Sequence, residues 1–206
     1  MIKMARQRLK ELGAYVITNG DHLAVAGEAC RAGANIVQYR DKTSSRRQLL
    51  ANAGEIREMT RRCNTIFIVN DFIDVALIVG ADGVHLGQDD IPIRQARRIT
   101  PEGFIIGVST HSLDQAAAAE REGADYIGIG PVFATPTKES YPPIGIDTVR
   151  QVQETVRIPF VAIGGLTPQN IKPLRQLGVC NFAMVRAFQQ DTETAVREIN
   201  RYLKKY

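Results

Sequence analysis

Pro159-Phe160-Val161-Ala162-Ile163-Gly164-Gly165 is the stretch that decides the fold: a short β-branched run breaking directly into paired glycines. Phe, Val and Ile suit a buried strand, and two glycines let the turn after it present backbone N–H groups to an anion. Comparable runs occur at Tyr15–Thr18, Asn35–Arg40, Thr65–Asn70, Gly83–Leu86, Phe104–Ser109, Tyr126–Val132 and Asn181–Ala187. Between them lie segments with apolar residues at helical spacing, such as Leu49 to Met59 and Ser112 to Arg121. Several end on a glycine just before the next run, at Ala32-Gly33, Glu122-Gly123 and Leu177-Gly178, where glycine accepts the left-handed conformation that closes a helix. Strand–helix alternation implies parallel strands joined by right-handed crossovers. The competing doubly wound open sheet calls for a dominant glycine-rich phosphate loop after the first strand. Here that turn is Thr18-Asn19-Gly20-Asp21. The glycines follow the seventh strand instead, where barrels commonly hold phosphate. A single (β/α)8 TIM barrel of the α/β class is therefore expected over residues 14–206, with a short leader helix at 1–13, carrying Met4, Leu9 and Leu12, packed on it.

With 44% hydrophobic and 23% charged residues in 206, one sizeable core can form. No apolar run reaches the ~18 residues needed to cross a bilayer, and Met1 to Gly13 lacks the apolar stretch of a secretory signal. The three cysteines, Cys30, Cys63 and Cys180, have no metal-ligand or redox spacing and read as free thiols of a cytoplasmic protein. A net charge of +4 suits anionic ligands, yet its bases alternate with acids, as in Glu120-Arg121-Glu122, and form no stripe. Neither nucleic acid nor a membrane is expected as a partner.

Barrel chemistry sits at the C-terminal strand ends. Gln38, Arg40 and Lys42 share one face of the second strand by its period of two. A glutamine and two cations at the mouth call for an anion or an acidic partner. The third strand ends in Asn70-Asp71 and the fourth runs into Gln88-Asp89-Asp90. Two carboxylates on neighbouring strand ends suit Mg²⁺, which fills its remaining positions with water and substrate phosphate. Asp71 and Asp90 could equally cap the helices that follow them; Asp89 is the weaker ligand. Ser109 ends the fifth strand and can donate a hydrogen bond. Thr135-Pro136-Thr137-Lys138 offers two hydroxyls and an ammonium, and Gly164-Gly165 a close backbone approach to phosphate. His22, His85 and His111 receive no chemical role: His85 reads as a hydrogen-bonded core residue and His111 as a cap or surface group.

Val37-Gln38-Tyr39-Arg40-Asp41-Lys42, Asn70-Asp71, Gly83 to Asp90, Gly107-Val108-Ser109, Gly128 to Phe133, Thr135 to Lys138 and Ala162 to Gly165 together resemble the thiamine-phosphate synthase family. The resemblance implies an Mg²⁺-dependent transferase whose small-molecule substrates are hydroxymethylpyrimidine diphosphate and thiazole phosphate. It implies that Gln38, Tyr39, Arg40, Asp41, Lys42, Asn70, Ser109 and Lys138 hold the pyrimidine diphosphate. Asp71 and Asp90 would carry the metal. Thr135, Pro136, Thr137, Gly165, Val185 and Arg186 would hold the thiazole phosphate. Arg40, Lys42, Ser109 and Lys138 form the catalytic set it implies, by neutralising the leaving diphosphate and positioning the substrates, with no protein nucleophile. Phe72, where the family's pattern has arginine, and Arg186, where serine is frequent, depart from it. The alternatives are the related thiazole tautomerase, a sugar-phosphate isomerase, and a non-catalytic binder of thiamine intermediates. Oligomeric state is left open, a homo-oligomer included.

Overall fold

The computed structural model describes residues 8–9, 13–135, 142–167, 169–179, 181–185 and 191–205. Its strands are β1 (Gly13–Ile17), β2 (Ile36–Tyr39), β3 (Ile66–Asn70), β4 (Gly83–Leu86), β5 (Ile105–Thr110), β6 (Tyr126–Ile129), β7 (Phe160–Ile163) and β8 (Asn181–Met184). The helices between and after them are α1 (His22–Arg31), α2 (Arg46–Cys63), α3 (Ile73–Ile78), α4 (Ile93–Ile99), α5 (Leu113–Glu122), α6 (Gly145–Thr155), α7 (Lys172–Gln176) and α8 (Thr192–Lys205). Each strand pairs in parallel with the next, and β8 pairs with β1, closing the (β/α)8 barrel. β6 ends before the expected Val132, because Pro131 has no N–H to give to the ladder. No helix among the described residues is long and apolar enough to cross a membrane.

Alternation along each strand builds two apolar layers. Ile36, Ile66, Ile68, Ile105 and Val161 fill the barrel interior, while Val37, Phe67, Val84, Ile106 and Phe182 pack under the helices. Burying a side chain of this size contributes about 1.5–3 kcal/mol. Three helices begin where a side chain takes up a free N–H: Asp21 for α1, Ser45 for α2 and Ser112 for α5. Gly123 closes α5 at a φ of +95°, as its place in the sequence requires.

The N-terminal face of the barrel is fastened by two similar polar joints. Asp82, just before β4, accepts from the Phe67 N–H of β3 at 2.8 Å and from the Arg57 guanidinium at 2.8 and 3.2 Å. Asp125, just before β6, accepts from the Ile106 N–H of β5 at 2.7 Å and from Arg97. Asn35, just before β2, and Asn181, the first residue of β8, donate to the backbone carbonyls of Arg8 and Leu9. Leu9 itself is buried in the interior layer. The rest of the leader expected over 1–13 lies outside the described residues, except Gly13, which belongs to β1.

Candidate active site

The period of two places the β2 residues as follows. Gln38, Arg40 and Lys42 line a cavity of about 750 Å³ at the C-terminal mouth. Tyr39 and Asp41, which the resemblance assigns to substrate, face the opposite way and do not line it. They secure the loop instead. Asp41 Oδ1 accepts from the Thr43 N–H at 3.0 Å, the Thr43 hydroxyl at 3.1 Å and the Ser44 N–H at 3.1 Å. The Tyr39 hydroxyl donates to Asp41 at 3.3 Å, and His22 stands 3.4 Å from the same carboxylate. Burial alone would raise the Asp41 carboxyl, but hydrogen bonds from Ser44 and Thr43 hold it well below the usual carboxylate range. The Arg40 N–H donates to Thr18 Oγ1 at 3.2 Å, which ties the strand end to β1. Arg40 and Lys42 thus project from a braced turn.

Asp71 follows β3 with a φ of +62°, a left-handed conformation that aspartate tolerates better than most residues. Its carboxylate meets Lys42 Nζ at 3.3 Å and lies against that of Asp90. Burial first, then the Asp90 charge and a hydrogen bond with it, push the Asp71 carboxyl up, and Lys42 partly opposes them. Asp90 is oriented by the Gly87 N–H, which donates to its Oδ2. Neither carboxylate caps a helix: α3 starts from Phe72 and α4 from Pro92, both without a side-chain cap. The pair fits a hard divalent cation, since two carboxylates held together against their repulsion leave acceptors that a cation would satisfy. No cluster of three or more His, Cys, Asp or Glu that could hold a metal ion exists among the described residues. Phe72 takes part in neither group; its ring carries the Arg46 guanidinium 3.9 Å from its centroid.

Asn70, Ser109, Thr135, Gly165 and Val185 also line the cavity, as does Asp89 beside the carboxylate pair. At Gly164 and Gly165, φ is +93° and +66°, and a Cβ would stand 2.4 Å from Pro131 and 2.7 Å from Phe133. Only glycine permits that close turn, as read from its sequence. Pro136, Thr137, Lys138 and Arg186 lie outside the described residues. The floor holds side chains that the reading of strand ends passed over: Tyr15, His85 and Tyr126, all buried, and His111 nearer the rim. His85 is a hydrogen-bonded core residue, as its place in β4 suggested, yet it also faces the cavity. His111 neither caps α5, which Ser112 does, nor stands apart: its Nδ1 bonds with the Gly130 carbonyl. The signal for Tyr15, His85 and Tyr126 was present in the alternation that selected Gln38.

A closed barrel with bases and a carboxylate pair at its mouth, above a polar floor, defines a TIM-barrel enzyme acting on a small molecule. Residues 14–188 match the family model described as thiamine monophosphate synthase, and the chain belongs to that family. It is 44% identical over 194 residues to the thiamine-phosphate synthase of Chloroflexus aurantiacus, covering 90% of this chain and 89% of the relative. It is 41% identical over 209 residues to that of Pelotomaculum thermopropionicum, covering 95% and 96%. The solved structure of thiamine phosphate pyrophosphorylase from Pyrococcus furiosus superposes with a TM-score of 0.89 at 36% identity, covering 97% of this chain and 98% of its own.

Proposed function

We propose that this protein is a cytoplasmic thiamine-phosphate synthase. It transfers the 4-amino-2-methyl-5-pyrimidinylmethyl group from its diphosphate to the ring nitrogen of thiazole phosphate. The observation that carries the reading is the layering of the cavity. Arg40, Lys42 and the Asp71/Asp90 pair sit at the mouth, and Gln38 and Ser109 line the same cavity from β2 and β5, which suits a diphosphate joined to a heterocycle. Membership of the thiamine monophosphate synthase family supports a reaction that forms thiamine phosphate.

Asp71 and Asp90 would hold Mg²⁺, which when bound supplies positive charge to the diphosphate oxygens. Arg40 and Lys42 bind the diphosphate and neutralise the charge that develops as the methylene carbon–oxygen bond breaks and pyrophosphate leaves with the electron pair. The aminopyrimidine delocalises the resulting cation, and the thiazole nitrogen lone pair closes the new carbon–nitrogen bond. Gln38, Asn70 and Ser109 orient the pyrimidine. Thr135, Pro136, Thr137, Gly165, Val185 and Arg186 hold the thiazole phosphate, and Lys138 joins Arg40 and Lys42 on the pyrimidine diphosphate. Proximity in a shared cavity then provides much of the acceleration.

Incubating the protein with both phosphorylated substrates and Mg²⁺, then oxidising to fluorescent thiochrome, tests this. Signal is expected, abolished by EDTA and in Asp90→Ala. No signal from well-folded protein that still binds thiazole phosphate would refute synthase activity and favour the tautomerase or the non-catalytic binder.

A further inference from the structure

Five cavity-lining side chains cross the barrel interior in one unbroken line of hydrogen bonds. Gln38 Nε2 donates to the Tyr15 hydroxyl at 2.8 Å. The Tyr15 and Tyr126 hydroxyls are 2.7 Å apart. The Tyr126 hydroxyl lies 2.9 Å from His85 Nδ1, and His85 Nε2 lies 2.9 Å from Ser109 Oγ. The backbone is shaped around this line. A Cβ at Gly107 would stand 2.1 Å from the Tyr126 ring, and one at Gly128 3.4 Å from the His85 ring.

Proton counting makes the line directional. Each phenol has one proton to give, and a neutral imidazole has one N–H. A buried hydroxyl that finds no acceptor is costly. With Gln38 donating to Tyr15, the Tyr15 proton must go to Tyr126, and that of Tyr126 to His85 Nδ1. His85 then carries its own proton on Nε2 and donates to Ser109 Oγ, so the Ser109 proton is left for the cavity. At the other end, Gln38 keeps its amide oxygen as an acceptor. Burial pushes both tyrosine hydroxyls up, which keeps both protons in the line. The opposite direction requires rotating the Gln38 amide and moving the His85 proton to Nδ1.

We propose that Tyr15, Tyr126 and His85 are positioning residues that act as one polarised chain, making Ser109 a donor and Gln38 an acceptor toward the ligand. A wall set in this way favours a heterocycle with an amino group and an unprotonated ring nitrogen over its oxo counterpart, in which donor and acceptor are exchanged. The ligand part of this statement rests on the function proposed above. The direction of the chain is a property of the free protein.

The test is a long-range ¹H–¹⁵N correlation spectrum of the ligand-free protein labelled at its three histidines, with the His85 signals assigned by their loss in His85→Gln. A protonated Nε2 and an unprotonated Nδ1 are expected. In Tyr126→Phe, which keeps the ring volume, His85 should move toward a mixture of tautomers. The KM for the pyrimidine diphosphate should rise about tenfold, equivalent to about 1.4 kcal/mol, with that for thiazole phosphate unchanged. Nδ1-protonated His85 in the wild-type protein overturns the proposal, and that spectrum decides even if the variant does not fold. An unchanged tautomer in folded Tyr126→Phe overturns it as well. Because no substrate enters the spectrum, this failure is distinct from failure of the synthase assay.

Discussion

Replacing Asp71 by asparagine should stabilise the metal-free protein while removing its response to Mg²⁺. Asparagine has the same shape, accepts the φ of +62° as readily, and deletes one of two facing like charges. Unit charges about 4 Å apart interact by roughly 1 kcal/mol in water and about 4 kcal/mol at an effective dielectric of 20. The Asp71 side chain is 17% exposed, and Lys42, 56% exposed, stands 3.3 Å away and already offsets part of the repulsion. A net gain of about 1 kcal/mol is therefore expected, or roughly 2–4 °C in Tm for a chain of this length. The sign with pH follows from the raised Asp71 carboxyl. The folded protein holds this proton more tightly than the unfolded chain, so stability falls as pH rises from the unfolded value near ~3.9 through the folded one. The advantage of Asp71→Asn is thus full above the folded value and disappears in acid. Mg²⁺ at about 100 times its Kd should stabilise the wild type by about 2.7 kcal/mol, roughly 5–11 °C, and the variant by much less. Thermal melts in EDTA and in Mg²⁺, at neutral and acid pH, measure both effects. A variant that melts below the wild type in EDTA, or gains as much from Mg²⁺, would refute the paired-carboxylate argument.

Two further outcomes concern residues outside the reacting cavity. Asp82→Ala removes the partner of a guanidinium only 12% exposed and the acceptor of the Phe67 N–H; unfolding should cost about 3 kcal/mol less, with both KM values unchanged. A double-mutant cycle with Arg57→Ala should show coupling of about 1 kcal/mol or more, and strict additivity would contradict the joint described here. Asp41→Asn weakens the brace under Arg40 and Lys42, so stability should drop by about 2 kcal/mol and the KM for the diphosphate substrate rise several-fold. Because the Asp41 carboxyl is held low, the wild-type advantage should be steady above pH ~5 and shrink as pH falls below about 4. Denaturant melts across pH would expose the opposite trend.

Strand–helix alternation and the position of Gly164-Gly165 made the barrel legible, because parallel strands buried on both faces leave few other architectures. The period of two also separated Gln38, Arg40 and Lys42 from their neighbours. The resemblance alone added Tyr39 and Asp41 to the substrate contacts, and a motif does not record which way each member faces. In β2 the inward face carries Gln38 and the outward face Tyr39, whose hydroxyl reaches Asp41 and Asn52 rather than the cavity. Sequence left Asp71 and Asp90 divided between capping a helix and holding a metal. Capping was excluded by backbone geometry: the left-handed turn at Asp71 directs its carboxylate to Asp90 and Lys42 and leaves α3 to start without a side-chain cap. Tyr15, Tyr126 and His85 were obscured for a different reason. An aromatic residue inside a strand ordinarily reads as core, and these are core, so their polar tips become visible only when three strands bring them within hydrogen-bond distance.

The two ends of the barrel treat charge in opposite ways, and that difference locates the chemistry. At the N-terminal face, Asp82 and Asp125 each meet a backbone N–H and an arginine, so their charges are consumed in joining adjacent strands. At the mouth, Asp71 is placed against another carboxylate, with one exposed lysine as partial compensation. Folding alone gives no reason for that second arrangement, since asparagine at position 71 would keep the turn and remove the repulsion. A bound cation and an anionic substrate do give one, because they convert the repulsion into ligation. Between the two ends, the side chains from Gln38 to Ser109 meet one another through hydrogen bonds rather than ion pairs, which suits the proposed division of labour: hydrogen-bond direction for a heterocycle, and charge at the mouth for its phosphates.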